Sequence, residues 1–281
     1  MINHNGKSDA NNFLFIAHPG HELCVHAWLT DTKPKVCVLT DGSGHGKQPR
    51  IASTSKLLQS VGAEPGPIYA RFADAELYRL ILDREVEPVL QAAREFAEAI
   101  LADHVTAVTG DAMEGYNPAH DVCRLIINTA VRRARRRSGW QIANRDFLLV
   151  GRHVEAVNGN AASMRLTQQM FEEKLEAARN FHGLQPEVQA LFSGDLLALQ
   201  NYPQMDPQSL PERNTLGSEA YRVETLRPVA DDSLGEEFLE SPPFYERYGE
   251  WRVADGYYNR VIRYREHILP LAQALASIID D

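Results

Sequence analysis

The sequence predicts an α/β domain built on a mainly parallel sheet with helices on both faces. Three observations carry this expectation. Short apolar runs that suit strands buried on both sides recur along the first half of the chain, helical segments separate them, and each run ends in a polar or glycine-rich loop.

Asn12 to Ala17 reads as the first strand and ends in His18-Pro19-Gly20. A helix is expected from Glu22 to Leu29, stopped by Thr30 to Pro34, and Lys35 to Thr40 gives a second buried strand closed by the turn-rich Asp41 to Gly46. Ile51 to Val61 reads as a helix ended by Gly62, and Ile68 to Phe72 as a strand. Apolar residues at three-to-four spacing (Val86, Val89, Leu90, Ala93, Phe96, Ala97, Ile100) predict one long helix over Asp83 to Ala102. A strand at Val105 to Thr109, a polar loop from Gly110 to Pro118, a helix from His120 to Arg137 and a strand at Phe147 to Val150 follow. Further on, Leu166 to Phe181 reads as a helix, and an aromatic segment from Phe244 to Trp251 precedes a final helix from Val253 to Ile278. The organisation expected is an α/β domain over 12–195 and, over 196–281, a C-terminal extension that packs on the core and ends in a helix. In such a sheet, functional residues belong in the loops at the carboxyl ends of the strands.

Composition narrows the function classes. The 281 residues are 44% apolar and 24% charged, which excludes global disorder and rod-like repeats. A net charge of -9 argues against nucleic acid as a partner. The dense run Arg132-Arg133-Ala134-Arg135-Arg136-Arg137 fits a helix C-terminus, where cations offset the macrodipole. No apolar run approaches the ~20 residues of a membrane span. The start lacks a secretory pattern, so a cytoplasmic location is expected. Three cysteines, an odd number lying within apolar segments, fit buried thiols rather than a disulfide framework.

The histidines carry the chemistry. His18 and His21 lie three apart after the first strand, and His120 opens a later helix. Loops at one edge of a parallel sheet converge, so these three imidazoles could share a metal, as in catalytic zinc sites with three histidines and one open position. Scattered surface or core histidines are the alternative. His21-Glu22-Leu23-Cys24-Val25-His26 is not H-E-x-x-H, because His26 is five residues on and turned ~140° away on a helix. Gly42-Ser43-Gly44-His45-Gly46 lacks both dinucleotide and Walker spacing and reads as a substrate loop.

The segment Phe13-Leu14-Phe15-Ile16-Ala17-His18-Pro19-Gly20-His21-Glu22 resembles the A-H-P-D-D-E signature of PIG-L or LmbE-like N-acetylglucosaminyl deacetylases, here as the atypical HPGHE. Leu39-Thr40-Asp41-Gly42 resembles the family's second strand and turn, Arg50 to Gly62 its basic residue, helix and glycine, and Asp111 to His120 the loop ending in H-P-D-H. The likeness covers roughly residues 12 to 150, with a fainter continuation at Ser218 to Tyr221. It implies a Rossmann-like fold, a Zn2+ cofactor on His18, His21 and His120, and hydrolysis of an N-acylated amino sugar or related small molecule. It also implies that Arg50 and Asp74 contact the substrate.

The chain departs from the family at three proton-handling positions. Gly20 stands where the family has its general-base aspartate, and Asn117 and Ala119 replace a histidine and an aspartate. A third neutral imidazole in place of a carboxylate ligand makes the site more electropositive. The leaving amine still needs a proton, and such assistance is worth about 10²- to 10⁴-fold. The candidates to supply it are Glu114, favoured because its loop presents His120, with Asp41, Glu22 and Asp111. Tyr116 is a candidate to polarise a carbonyl, and Arg50, Asp74, His45 and Asn117 to bind substrate. The aromatic residues Tyr245, Tyr248, Trp251, Tyr257 and Tyr258 suit either a docked tail or a pocket wall. The expected function is therefore a metal-dependent amide hydrolase with a small-molecule substrate; a homo-oligomer stays open. The alternative is a non-hydrolytic metal- or sugar-binding descendant.

Overall fold

The structure is a computed structural model, and it describes residues 11–44, 48–150, 161–185, 188–189, 217–230 and 232–280. Seven strands form one sheet in the order β3-β2-β1-β4-β5-β7-β6. They are β1 (Asn12–Ile16), β2 (Lys35–Thr40), β3 (Glu64–Phe72), β4 (Ala107–Asp111), β5 (Ala143–Phe147), β6 (Ala162–Arg165) and β7 (Val223–Pro228). The first five are parallel; β7 runs antiparallel to both β5 and β6. This is the α/β sheet that the sequence predicts. Strand order reverses at β1, which sits between β2 and β4, so the crevice at the carboxyl ends of β1 and β4 is the switch point of the sheet.

The strands alternate their apolar side chains between two buried layers. Phe13 and Phe15 of β1 join Cys37 and Leu39 of β2 in one core, whereas Leu14 and Ile16 join Val36 and Val38 in the other. The first core is covered by α3 (Asp74–Asp83), α4 (Glu87–Ala102) and α5 (Pro118–Ser138), and by the last helix, α8 (Leu269–Ser277), through Leu271, Ala272 and Leu275. The second is covered by α2 (Ile51–Val61) and by residues around α1 (His26–Thr32) and α6 (Gln168–Arg179). One more helix, α7 (Phe244–Ala254), follows β7 in the chain.

Several elements differ from expectation for physical reasons. The helix expected over Asp83 to Ala102 starts later, as α4 at Glu87 with Pro88 in its first turn, because Asp83 closes the separate helix α3, which Arg84 ends with a left-handed φ of 58°. The helix expected from Glu22 begins as a 3₁₀ turn, His21–Val25, before α1. The strand expected at Phe147 to Val150 lies earlier, at Ala143–Phe147. Its buried polar residues Asn144 and Asp146 are paired with Arg124 and Arg227, so an apolar run does not mark it. The strand expected at Val105 to Thr109 runs from Ala107 to Asp111, which places Asp111 at the sheet edge. The helix expected from Val253 to Ile278 is interrupted: α7 ends at Ala254, and a π turn at Tyr264–Ile268 leads into α8.

The boundary expected between residues 195 and 196 lies outside the described residues. Beyond it, β7 is an internal strand of the sheet, and Tyr245, Tyr264 and Ile268 belong to the first core. The arginine run is engaged within the chain: Arg133 donates to the Ile278 carbonyl, Arg135 to that of Ile142, and Arg136 and Arg137 pair with Asp280 and Glu98. Among the described residues no helix is long and apolar enough to cross a membrane.

Candidate metal centre

Five chain segments bring their ends to the carboxyl edge of the sheet. β1 runs into His18 and His21, β2 ends in Thr40, β3 is followed by Asp74 in the first turn of α3, β4 ends in Asp111, and α5 carries His120 in its first turn. Asn117 caps α5, its side chain accepting from the Ala119 N–H at 2.8 Å, and Pro118 occupies the first turn. The cap fixes where the His120 ring enters the crevice.

The three rings are mutual neighbours. Ring centres lie 5.3 Å apart for His18 and His21, 5.1 Å for His18 and His120, and 4.6 Å for His21 and His120. Three imidazole nitrogens placed tetrahedrally about a zinc at their usual bond lengths would put ring centres roughly 5 Å apart. The donor atoms themselves have not closed around one point. Among the described residues no group of three or more His, Cys, Asp or Glu side chains could hold a metal ion as it stands. The ring spacing, rather than the donor-atom geometry, is that of a metal site.

Hydrogen bonds set the state of two rings. The Thr40 hydroxyl donates to the Ala17 carbonyl at 3.0 Å, so at 2.7 Å it accepts from His18 Nδ1, which also lies 3.1 Å from Asp74 Oδ1. His21 Nδ1 donates to Asp111 Oδ2 at 2.8 Å, an oxygen that also accepts the Ala17 N–H at 2.8 Å. With Nδ1 donating in both rings, Nε2 is the nitrogen left to a further partner. His18 Nε2 is buried and without a hydrogen-bond partner. A carboxylate behind each ring is how metal-binding histidines are commonly oriented. Burial, with the neighbouring His21, His18 and Arg50 charges, holds His120 well below the ordinary histidine pKa. Burial also lowers that of His21, against the opposing pull of Asp111. The donor set suits a divalent transition metal in type and ring spacing: three imidazoles, two of them held through Nδ1.

The carboxylates are less free than the sequence suggests. Glu114 accepts from the Leu149 and Val150 N–H groups at 2.7 and 3.2 Å. Asp41 Oδ1 accepts from Ser43 N and Asp74 N, and Asp74 Oδ2 from Gly44 N. Burial of Asp74 opposes its charge, yet its hydrogen bond to His18 holds its carboxyl well below the ordinary range. Glu22 is fully buried with Oε2 on the Gly20 N–H, and burial raises its pKa to about 7. Asn117 Oδ1 accepts from Tyr78 Oη at 3.1 Å as well as capping α5. The Tyr116 ring stacks on Phe244 at 5.0 Å, and Phe244 continues to Tyr248, Trp251 and Tyr258, so α7 supplies an aromatic wall beside the His120 loop. His45 lies outside the described residues.

Gly20 has a left-handed φ of 108°, and a Cβ there would lie 2.4 Å from Leu184 Cδ1 and 3.5 Å from Phe181 Cε1. The space beside Gly20 is filled by apolar side chains from the turn after α6. No spacing in the sequence announces Leu184, Phe181, Thr40 or Tyr78 as neighbours of the site. A buried ion pair supports the loop from beneath: Lys174 Nζ lies 2.8 Å from Glu224 Oε1 and donates to the Cys24 carbonyl. Glu224 in turn accepts the Ala27 and Trp28 N–H groups at the start of α1.

No protein-family model and no curated protein matches the chain. Solved structures similar to it include a triple mutant of the deacetylase from the teicoplanin biosynthetic pathway, at 16% identity and a TM-score of 0.46 over 80% of this chain and 100% of that one. The deacetylase of the A40926 pseudoaglycone aligns at 18% identity and a TM-score of 0.47 over 80% and 98% of the two chains. A zinc-inhibited form of the teicoplanin deacetylase gives 16% and 0.45 over 79% and 100%.

Proposed function

We propose that the chain is a metal-dependent amide hydrolase that removes an acyl group from an N-acylated amino sugar or a related small molecule, with zinc held by His18, His21 and His120. The observation that carries this reading is the convergence of the three rings, with centres 4.6 to 5.3 Å apart, at the switch point of the sheet. Zinc, when bound, supplies Lewis-acid polarisation of the amide carbonyl and acidifies water. Asp74 with Thr40, and Asp111, hold the first two rings by their Nδ1–H groups, which leaves Nε2 of each as the nitrogen available to a metal. Tyr78 donates to Asn117, and Tyr116 stacked on Phe244 offers an aromatic face to a ring-bearing substrate. In this reading the protein is cytoplasmic.

The filled space at Gly20 favours a second reading, in which the site binds an acylated sugar around a metal without cleaving it. Acetate release from a panel of N-acetylated amino sugars, with one equivalent of zinc present, separates the two. The hydrolase reading expects turnover that His120→Ala abolishes. Bound zinc and bound sugar without acetate would replace it with the second.

A further inference from the structure

We propose that Arg124 is a positioning residue of the metal centre, acting through Asp111 on His21; the inference rests on the site reading above and adds a residue to it. Arg124 lies four residues after His120 on α5, hence on the same face of that helix, and is 2% exposed. Its Nε donates to the Asp111 carbonyl at 2.6 Å, Nη1 to the Asn144 side-chain oxygen at 3.1 Å and Nη2 to the Arg145 carbonyl at 3.1 Å. Asn144 donates in turn to Asn128, a further turn along α5. Gly110 makes room for this approach: a Cβ there would lie 3.3 Å from Arg124 Nη2 and 2.3 Å from the Phe15 carbonyl oxygen. One buried guanidinium thus ties the ends of β4 and β5 to the helix that carries His120.

Asp111 depends on such a support. It is fully buried, and the hydrogen bonds from the Ala17 N–H and from His21 Nδ1 both fall on Oδ2, while Oδ1 has no partner. The direction in which the carboxylate meets His21 is therefore set by where the backbone of residue 111 is held, and Arg124 holds it at the carbonyl where β4 ends. The charges agree with this grip. The carboxylates that act on the buried cation are those of Asp146 and Asp111. Asp146 is paired with the fork of Arg227 at 2.7 and 2.8 Å, which leaves Asp111 as the counter-charge of Arg124 across its own peptide. A lysine would bring the charge without the three-way grip of a planar guanidinium.

The test is calorimetric titration of zinc into the full chain as wild type, Arg124→Met, Arg124→Lys and Arg133→Met, with Arg124→Lys repeated in an Asp111→Asn background. Arg133→Met is the structural control, because it removes another buried arginine of α5, one that donates to the Ile278 carbonyl. The expected result is about tenfold weaker zinc binding in Arg124→Met, a smaller loss in Arg124→Lys and a change within about twofold in Arg133→Met. In the Asp111→Asn background Arg124→Lys should change the affinity by less than about twofold, since the route through Asp111 is already cut. Imidazole nitrogen NMR of the metal-free chain reads the same link without zinc. The hydrogen-bonded His21 Nδ1–H signal should be present in the wild type and in Arg133→Met and be lost or weakened in both Arg124 variants; where Arg124→Met does not fold, Arg124→Lys carries both measurements. Additive losses in the double variant, an equal loss in Arg133→Met, or an unaltered His21 signal overturns the proposal. A wild type that takes up no zinc yet shows an Arg124-dependent His21 signal sinks the metal reading and leaves the link from Arg124 through Asp111 to His21 standing.

Discussion

Replacing Gly20 with alanine should destabilise the protein for two separable reasons. At a φ of 108° an L side chain strains the backbone, which costs roughly 1–2 kcal/mol. The new Cβ would also stand 2.4 Å from Leu184 Cδ1, and overpacking of that kind costs about 1–3 kcal/mol. The expected loss is about 2–5 kcal/mol, read from urea denaturation followed by far-ultraviolet circular dichroism. Leu184→Ala alone should cost less than a fully buried truncation, because Leu184 is only half-buried. In the double variant the steric part disappears, so the two substitutions should show a favourable coupling of about 1–3 kcal/mol while the backbone part remains. The same contact predicts that Gly20→Asp gains no activity unless Leu184 is also shortened. A Gly20→Ala variant within about 0.5 kcal/mol of wild type, or the absence of coupling to Leu184, would refute the packing described for this loop.

Three other outcomes follow from the same geometry. Asp111→Asn should weaken zinc binding by about 10- to 100-fold in a calorimetric titration while leaving the far-ultraviolet spectrum unchanged, because it removes the carboxylate that aligns His21; unchanged affinity would remove Asp111 from the site. In metal-free protein the folded-state pKa of Glu22 lies above its ordinary value of 4.5, at about 7, so the folded state keeps a proton that the unfolded chain releases between these values. Stability should therefore fall as pH rises through that window, by up to about 3 kcal/mol, and Glu22→Gln should flatten the fall; parallel pH profiles for the two proteins would count against it. Lys174→Met, which leaves Glu224 buried without its cation, should cost about 3–5 kcal/mol, and adding Glu224→Gln should recover part of this; a thermal melt that Lys174→Met does not shift would show that the pair is not closed in solution.

The sheet was legible wherever local chemistry and tertiary environment agree. The second strand and the helix over Ile51–Val61 match their expected limits because an apolar run or a glycine stop coincides with the element's real ends. The helix Asp74–Asp83 was not expected, although Leu77, Leu80 and Ile81 carry its apolar face, because the stronger pattern of the following helix absorbed its last residue. β5 was misplaced since its buried Asn144 and Asp146 depend on Arg124 and Arg227, which are distant in sequence. At the site, the three histidines stood out by their positions after strands. What holds them did not: Thr40 looks like any strand-end residue, Asp111 reads as a candidate proton donor rather than as the partner of His21, and Leu184 reaches Gly20 from a turn more than 160 residues away along the chain.

The central claim is that His18, His21 and His120 share one ion. Zinc content by plasma mass spectrometry, with X-ray absorption at the metal edge, tests it on the wild type and on the three single alanine variants. About one zinc per chain with three imidazole nitrogens in its shell, and loss of that zinc in each variant, is the predicted result. A wild type that takes up no zinc, or zinc retained unchanged when any one of the three rings is removed, would contradict it.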